Sequence, residues 1–189
     1  MKNTIKTRIE ESIEVKEALH KTQVENIEKA ARLIINSLGG GGKLLVFGNG
    51  GSAADSQHIA AELVGRFKKE RRGLAAIALT TDTSILTALG NDYGYDIIFS
   101  RQVEALGREG DVAMGLSTSG NSKNVVAALK KAKLAGIKTL CLTGEGGGAM
   151  KDLCDVLIAV NSKNTPRIQE AHTLISHILC ELIEGELCK

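Results

Sequence analysis

Five short runs of Val, Ile, Leu, Ala and Met, apolar at successive positions rather than at every second one, do most to limit how this chain can fold. They lie at residues 43–47, 75–79, 111–116, 137–142 and 155–160. A strand that is apolar on both faces must be covered on both, as in a parallel sheet held between two layers of helices. Helical patterns fill the gaps, at residues 53–67, 95–106 and 122–135, and a last helix runs from Pro166 to about Leu187. Thr165 can cap that helix, and Pro166 fits its first position, where no N–H is needed. Ahead of the first run, Ile5, Ile9 and Ile13 recur every fourth residue, and Val24, Ile27, Ala31, Ile34, Ile35 and Leu38 continue in helical spacing. The glycines at 39–42 then stop this helical region.

The alternation predicts a doubly wound α/β fold with about five parallel strands flanked by helices and an N-terminal helical extension. A length of 189 residues fits one domain over residues 1–189, with the helical region at 1–38 and the α/β core at 43–189. Only 3% of residues are aromatic and none is Trp, so the core is left to aliphatic side chains.

A net charge of +2 gives no broad field to attract nucleic acid or an anionic membrane, and neither partner is expected. The basic stretch at 66–72, RFKKERR, reads as a solvated connection after a helix, the alternative being that Arg66 at its edge reaches an anion. Cys141, Cys154, Cys180 and Cys188 form no C-x-x-C pair, and the start of the chain is too polar for a secretory leader. No apolar run approaches the ~18 residues of a membrane span, so a cytoplasmic protein with reduced cysteines is expected.

In such sheets ligands bind beyond the carboxyl ends of the strands. The loop after the first run reads FGNGGSAAD and formally satisfies G-x-G-x-x-G/A through Gly48, Gly50 and Ala53. A dinucleotide would also want an acid about 20 residues further on. Asp82, the nearest candidate, lies 29 residues past Ala53. No Lys-Ser or Lys-Thr follows the glycines, which excludes a Walker loop. Ser52 and Asp55 have capping-box spacing, so Ser52 reads as a helix cap, a role compatible with an anion held by the free N–H groups of the helix start. The loop after the third run, STSGNS, sets Ser117, Thr118, Ser119 and Ser122 at another helix start. That is more hydroxyl than one cap needs and suits a phosphate.

His58 and Glu62 share a helix face four residues apart, a spacing that can serve a metal or a substrate but more often makes a plain helix contact. On the last helix Gln169 and His177 point in nearby directions but are separated by roughly 12 Å of rise, so they meet only by leaning together or by coming from different subunits. His172 sits beside the apolar stripe and reads as a packed core histidine, while His20 belongs to no cluster.

Taken together, GNGGSAADSQHIAAELVGRF, LGNDYGYDIIFSRQVEALGREGDV, GLSTSGNSKNVVAALKKAK, CLTGEGGG and RIQEAHTLISHIL resemble the phosphoheptose isomerases of the sugar isomerase (SIS) domain family over nearly the whole chain. The resemblance implies a flavodoxin-like SIS fold and interconversion of D-sedoheptulose 7-phosphate with D-glycero-D-manno-heptose 7-phosphate, the first step of bacterial heptose biosynthesis. It carries substrate contacts onto Asn49, Gly50, Gly51, Ser52, Glu62, Asn91, Asp92, Ser117, Thr118, Ser119, Ser122 and Gln169. It carries zinc ligands onto His58, Glu62, Gln169 and His177. It also implies a homotetramer with active sites shared between subunits. Pro166 stands where some relatives have an aspartate, which removes an acid from that position.

An aldose-ketose isomerase moves a proton between C1 and C2 through an enediol and needs a carbon base. Glu62 as base, with His177 as its acid/base partner, is the expected assignment. Two rivals come from other classes. One is a non-catalytic SIS regulator of the replication-initiator-associating type, which lacks the acid and histidine that Glu62 and His177 supply here. The other is an NAD-dependent dehydrogenase.

Overall fold

The computed structural model describes residues 1–188. Two helices, α1 (Lys2–Thr22) and α2 (Val24–Gly39), lead into alternating elements: β1 (Leu44–Gly48), α3 (Gly51–Val64), β2 (Ala76–Ala78), α4 (Thr83–Asp92), α5 (Ile98–Leu106), β3 (Val112–Ser117), α6 (Lys123–Leu134), β4 (Lys138–Thr143), β5 (Val156–Ala159) and α7 (Thr165–Leu187). The five strands form one parallel sheet in the order β2-β1-β3-β4-β5. Chain direction across the sheet reverses between β1 and β3, so the loops after those two strands flank the switch point where such folds bind ligands.

The doubly apolar strands do what their composition requires. Leu44, Val46, Met114, Leu116, Leu140 and Leu142 face the layer of α2, α3 and α7, where they meet Ile34, Leu63, Ile168 and Ile175. Their neighbours Leu45, Phe47, Ala113 and Cys141 face α5 and α6, against Phe99, Val103, Val125 and Leu129. Each fully buried Leu contributes about 1.5–3 kcal/mol relative to exposure, so the central strands fix the sheet. β2, at the edge, is short and leaves Ile77 exposed.

The N-terminal region is two helices that break at Gln23, and α2 ends where Gly41 takes φ 81°. Three expectations are corrected. Helix α7 is capped by Asn164, not Thr165, which is itself helical. Ser52 does not cap α3: Gly50, at φ 55°, turns the chain two residues earlier, and Ser52 lies inside the helix and buried. Residues 66–72 are not simply a solvated connection, because their backbone folds around a buried carboxylate described below. Helix α4 was not expected at all, since none of its residues is buried and only Asp82, which accepts the Ile85 N–H at 2.9 Å, marks its start. Among the described residues no helix is long and apolar enough to cross a membrane.

Candidate active site

The β1 loop passes from Gly48, where a Cβ would lie 2.8 Å from the Leu116 carbonyl of β3, straight into α3. The Ser52 N–H is taken by the Asn49 carbonyl at 3.0 Å, while those of Gly50 and Gly51 have no intramolecular acceptor among the described residues. Asn49 is held by Asn124 on α6 through two reciprocal amide bonds, 2.8 and 2.9 Å long, and Asn124 also accepts the Val125 N–H. This pairing ties the β1 loop to the β3 loop across the switch point. No sequence signal singled out Asn124.

In the β3 loop the Ser117 hydroxyl lies 2.9 Å from that of Ser122 and 3.4 Å from that of Ser119. Ser122 is the N-cap residue of α6, yet its side chain makes no capping bond and is left to the hydroxyl cluster. Gly120, at φ 67°, fits against the backbone of Gly147 and Gly148, and Asn121 accepts the Ala149 N–H at 2.9 Å. The loop is thus braced from behind, with Thr118 receiving the Gly144 N–H at 3.0 Å. Hydroxyls gathered at a helix start, beside unpaired N–H groups, form an anion site.

Helices α3 and α7 pack side by side and bring His58, Glu62 and His177 together, with ligand atoms all within 4.8 Å of one another. The two imidazole Nε2 atoms are 2.9 Å apart, and His58 Nε2 lies 3.5 Å from a Glu62 oxygen. Tetrahedral zinc, bound by nitrogen and oxygen at about 2.0–2.2 Å, sets its ligands roughly 3.3 Å from each other. Two imidazoles and a carboxylate at these spacings fit such an ion. Gln169 stands two turns earlier on α7, its amide against Gly51, where a Cβ would meet it at 2.3 Å. The amide therefore closes over the β1 loop at the end of α3 remote from Glu62.

Asp55 also belongs to this region, a residue that sequence reasoning had given to a helix cap. It accepts the Thr173 hydroxyl at 3.1 Å. Burial raises its pKa, opposed by that hydrogen bond and by the charges of His58 and His177. Its signal was the i,i+3 spacing to His58 on one helix face. His172 is fully buried, with Nε2 on the Thr143 carbonyl at 3.1 Å. Burial lowers its pKa to about 4, so it is a neutral core residue. Asn91 and Asp92 are exposed at the end of α4 and bonded to each other at 2.8 Å. Their helix packs on α5 and on the 3-10 turn Tyr95–Ile97.

Residues 9–144 match the SIS domain family. The chain is 60% identical over 174 residues to the phosphoheptose isomerase of Geobacter sulfurreducens, covering 92% of each, and 56% identical over 189 residues to that of Geobacter metallireducens, covering 100% of each. The chain belongs to the phosphoheptose isomerases of the SIS domain family. The structure of phosphoheptose isomerase from Neisseria gonorrhoeae superposes with a TM-score of 0.93 at 48% identity, over 97% of this chain and 98% of that one. The Vibrio vulnificus NanR protein complexed with ManNAc-6P shares the fold alone at 14% identity and a TM-score of 0.70, over 97% of this chain and 63% of that one.

Within this phosphoheptose isomerase scaffold one further polar group is buried close to the trio. Glu184 on α7 accepts the N–H groups of Phe67, Lys68 and Lys69 at 2.7–2.9 Å and Arg71 Nε at 2.9 Å. Burial alone would raise its pKa, but those three N–H groups and the guanidinium outweigh it and hold the carboxyl at about 2. The anion met by the basic stretch is therefore the protein's own. Its cation is Arg71, whereas Arg66 is exposed and pairs with Glu70 at 3.6 Å.

Proposed function

We propose that the chain interconverts D-sedoheptulose 7-phosphate and D-glycero-D-manno-heptose 7-phosphate by proton transfer between C1 and C2 through an enediol. Two clusters carry this reading: hydroxyls and free N–H groups at the strand ends fit for a phosphate, and, toward the other end of α3, a carboxylate beside two imidazoles fit for moving protons. The backbone of Asn49, Gly50, Gly51 and Ser52 and the side chains of Ser117, Thr118, Ser119 and Ser122 bind and orient the phosphate end of the sugar. Glu62 takes the carbon-bound proton, and His177 exchanges a proton with the adjacent oxygen.

His58, Glu62 and His177 would hold zinc, joined by Gln169 only from a neighbouring copy because within one chain it stands at the other end of α3; the ion would supply polarisation of substrate oxygens or a structural tie. Glu62 is free to act as a base only when its carboxylate is not wholly committed to such an ion.

We further assign a homotetramer with shared sites. Ile5, Ile9 and Ile13 form an exposed apolar stripe on α1, and α4, with no buried residue, carries the exposed Asn91 and Asp92. A neighbouring copy covering these faces would bring Asn91 and Asp92 to the sugar hydroxyls and relieve the separation of Gln169 from His177. Light scattering at working concentration checks the assembly. Charged sugar phosphates do not cross membranes unaided, so the reaction is assigned to the cytoplasm.

The test is incubation with sedoheptulose 7-phosphate and detection of the aldose, with and without chelator. Turnover is expected in the native protein and its loss, with substrate binding kept, in Glu62→Gln and His177→Ala. Near-normal turnover in either variant would sink the assignment of roles.

A further inference from the structure

Three chain segments meet at Glu184, and together they govern where the trio's side chains stand. Glu184 lies seven residues after His177, two turns along the same face of α7. Its carboxylate is 2% exposed and fully used: Oε1 takes the N–H groups of Lys68 and Lys69, and Oε2 takes those of Phe67 and of Arg71 Nε. The remaining Arg71 donors turn the other way, onto the end of α3. Nη2 donates to the Glu62 carbonyl at 2.8 Å, and Nη1 to those of Leu63, Gly65 and Arg72 at 2.9–3.0 Å.

The Glu62 and Leu63 carbonyls are among the last four of α3, which have no partner within their helix. A cation there also suits the negative end of the helix dipole. Phe67, fixed through its N–H to Glu184, sets its ring 5.8 Å from that of His177 at an interplanar angle of 36°. One guanidinium thus joins the backbone of the residue that supplies a carboxylate to the trio with the helix that supplies an imidazole. The same loop buttresses the imidazole.

We propose that Arg71 and Glu184 are positioning residues for the trio His58, Glu62 and His177, setting the separation of α3 and α7 so that the three side chains converge on one ion before it arrives. The inference rests on reading the trio as the metal and proton-transfer site. Supports behind a metal's ligands are typically worth 10–100-fold in affinity. The phosphate wall lies at the opposite end of α3 and is braced separately by Asn124 and the 144–149 loop. Loss of the pair is therefore expected to change metal affinity and kcat while KM for the sugar phosphate stays in place.

The experiment replaces the pair together, Arg71→Met with Glu184→Leu, since an apolar pair of similar volume avoids stranding a buried charge. Zinc affinity of the metal-stripped full chain is measured by competition with a chromogenic chelator, beside kcat, KM and thermal unfolding. A folded double variant with zinc affinity about 10–100-fold weaker, kcat reduced and KM within about 2-fold of the native value is the expected result. Arg71→Lys gives the same readouts if the double variant does not fold: it keeps the charge beside Glu184 but cannot span to the α3 carbonyls. Its affinity is expected to fall about 10-fold, with Arg71 itself restoring the native value. Native zinc affinity and kcat in either folded variant would overturn the proposal, provided that His177→Ala loses zinc. Unchanged affinity in His177→Ala as well would overturn the reading of the trio, and this inference with it.

Discussion

The two ends of the sheet use similar polar side chains to opposite purposes. At the amino ends, Asp111 is fully buried and accepts the N–H groups of Lys43 and Arg108, both at 2.9 Å, and Lys43 Nζ at 2.5 Å. Asp155 likewise takes the Thr139 N–H and hydroxyl at 2.8 and 2.9 Å. These carboxylates tie the starts of neighbouring strands to each other and to the turn before β3. At the carboxyl ends, the hydroxyls of Ser117, Ser119 and Ser122 find mainly one another, and two helix starts keep unpaired N–H groups. A saturated polar group stabilises the fold, and an unsaturated one is available to a ligand. The difference teaches that function here sits where hydrogen bonding is left unfinished.

The comparison breaks most visibly through substitutions that respect one end only. Glu62→Gln should lower kcat by about 10²–10⁴-fold, the usual worth of a general base, with denaturant stability close to native; unfolding at much lower denaturant would show that Glu62 serves the fold. Asp111→Ala should do the reverse. Leaving Lys43 and two N–H groups buried without a partner costs about 3–5 kcal/mol, read as a lower denaturation midpoint, while KM and kcat of the folded fraction stay native. Ser119→Ala should raise KM about 10-fold, the worth of one hydrogen bond to a charged group, with stability within about 0.5 kcal/mol of native. An equal loss at both ends in stability and KM would erase the distinction.

Acid titration sharpens the contrast between groups. The unfolded chain protonates His172 near its ordinary value of 6.5, but in the fold burial lowers it to about 4. The unfolded state therefore binds more protons between those values, and stability falls as pH drops from about 6.5 to about 4. Glu184, held at about 2 against an ordinary 4.5, adds stability that is complete above 4.5 and lost as pH falls toward 2. Stability followed from pH 7 downward should decline in two stages, and His172→Gln should remove the first alone. A first stage that persists in that variant would assign it to another group.

Much of this was legible along the chain. The five apolar runs became the five strands within a residue or two, because strands buried on both faces leave a pattern that local sequence carries. The serine-rich loop was legible too, since four hydroxyls in six residues exceed what a cap requires. Helix α4 was not, because a helix with no buried residue leaves no clear apolar stripe. The basic stretch misled for a different reason. Its charges suggested solvent, yet three of its backbone N–H groups and Arg71 close on a glutamate more than a hundred residues away.

The sequence by itself determined the layered α/β architecture and the family, because periodicity, turn chemistry and motif spacing are local properties. Only the tertiary structure decided that His58 and Glu62 meet His177, that Asn49 locks to Asn124, that Asp55 of α3 meets Thr173 of α7 and that Arg71 ties α3 to α7. Each of those contacts joins residues brought together by the packing of whole helices, and the position at which two helices cross is set by the shape of the shared core rather than by either segment alone.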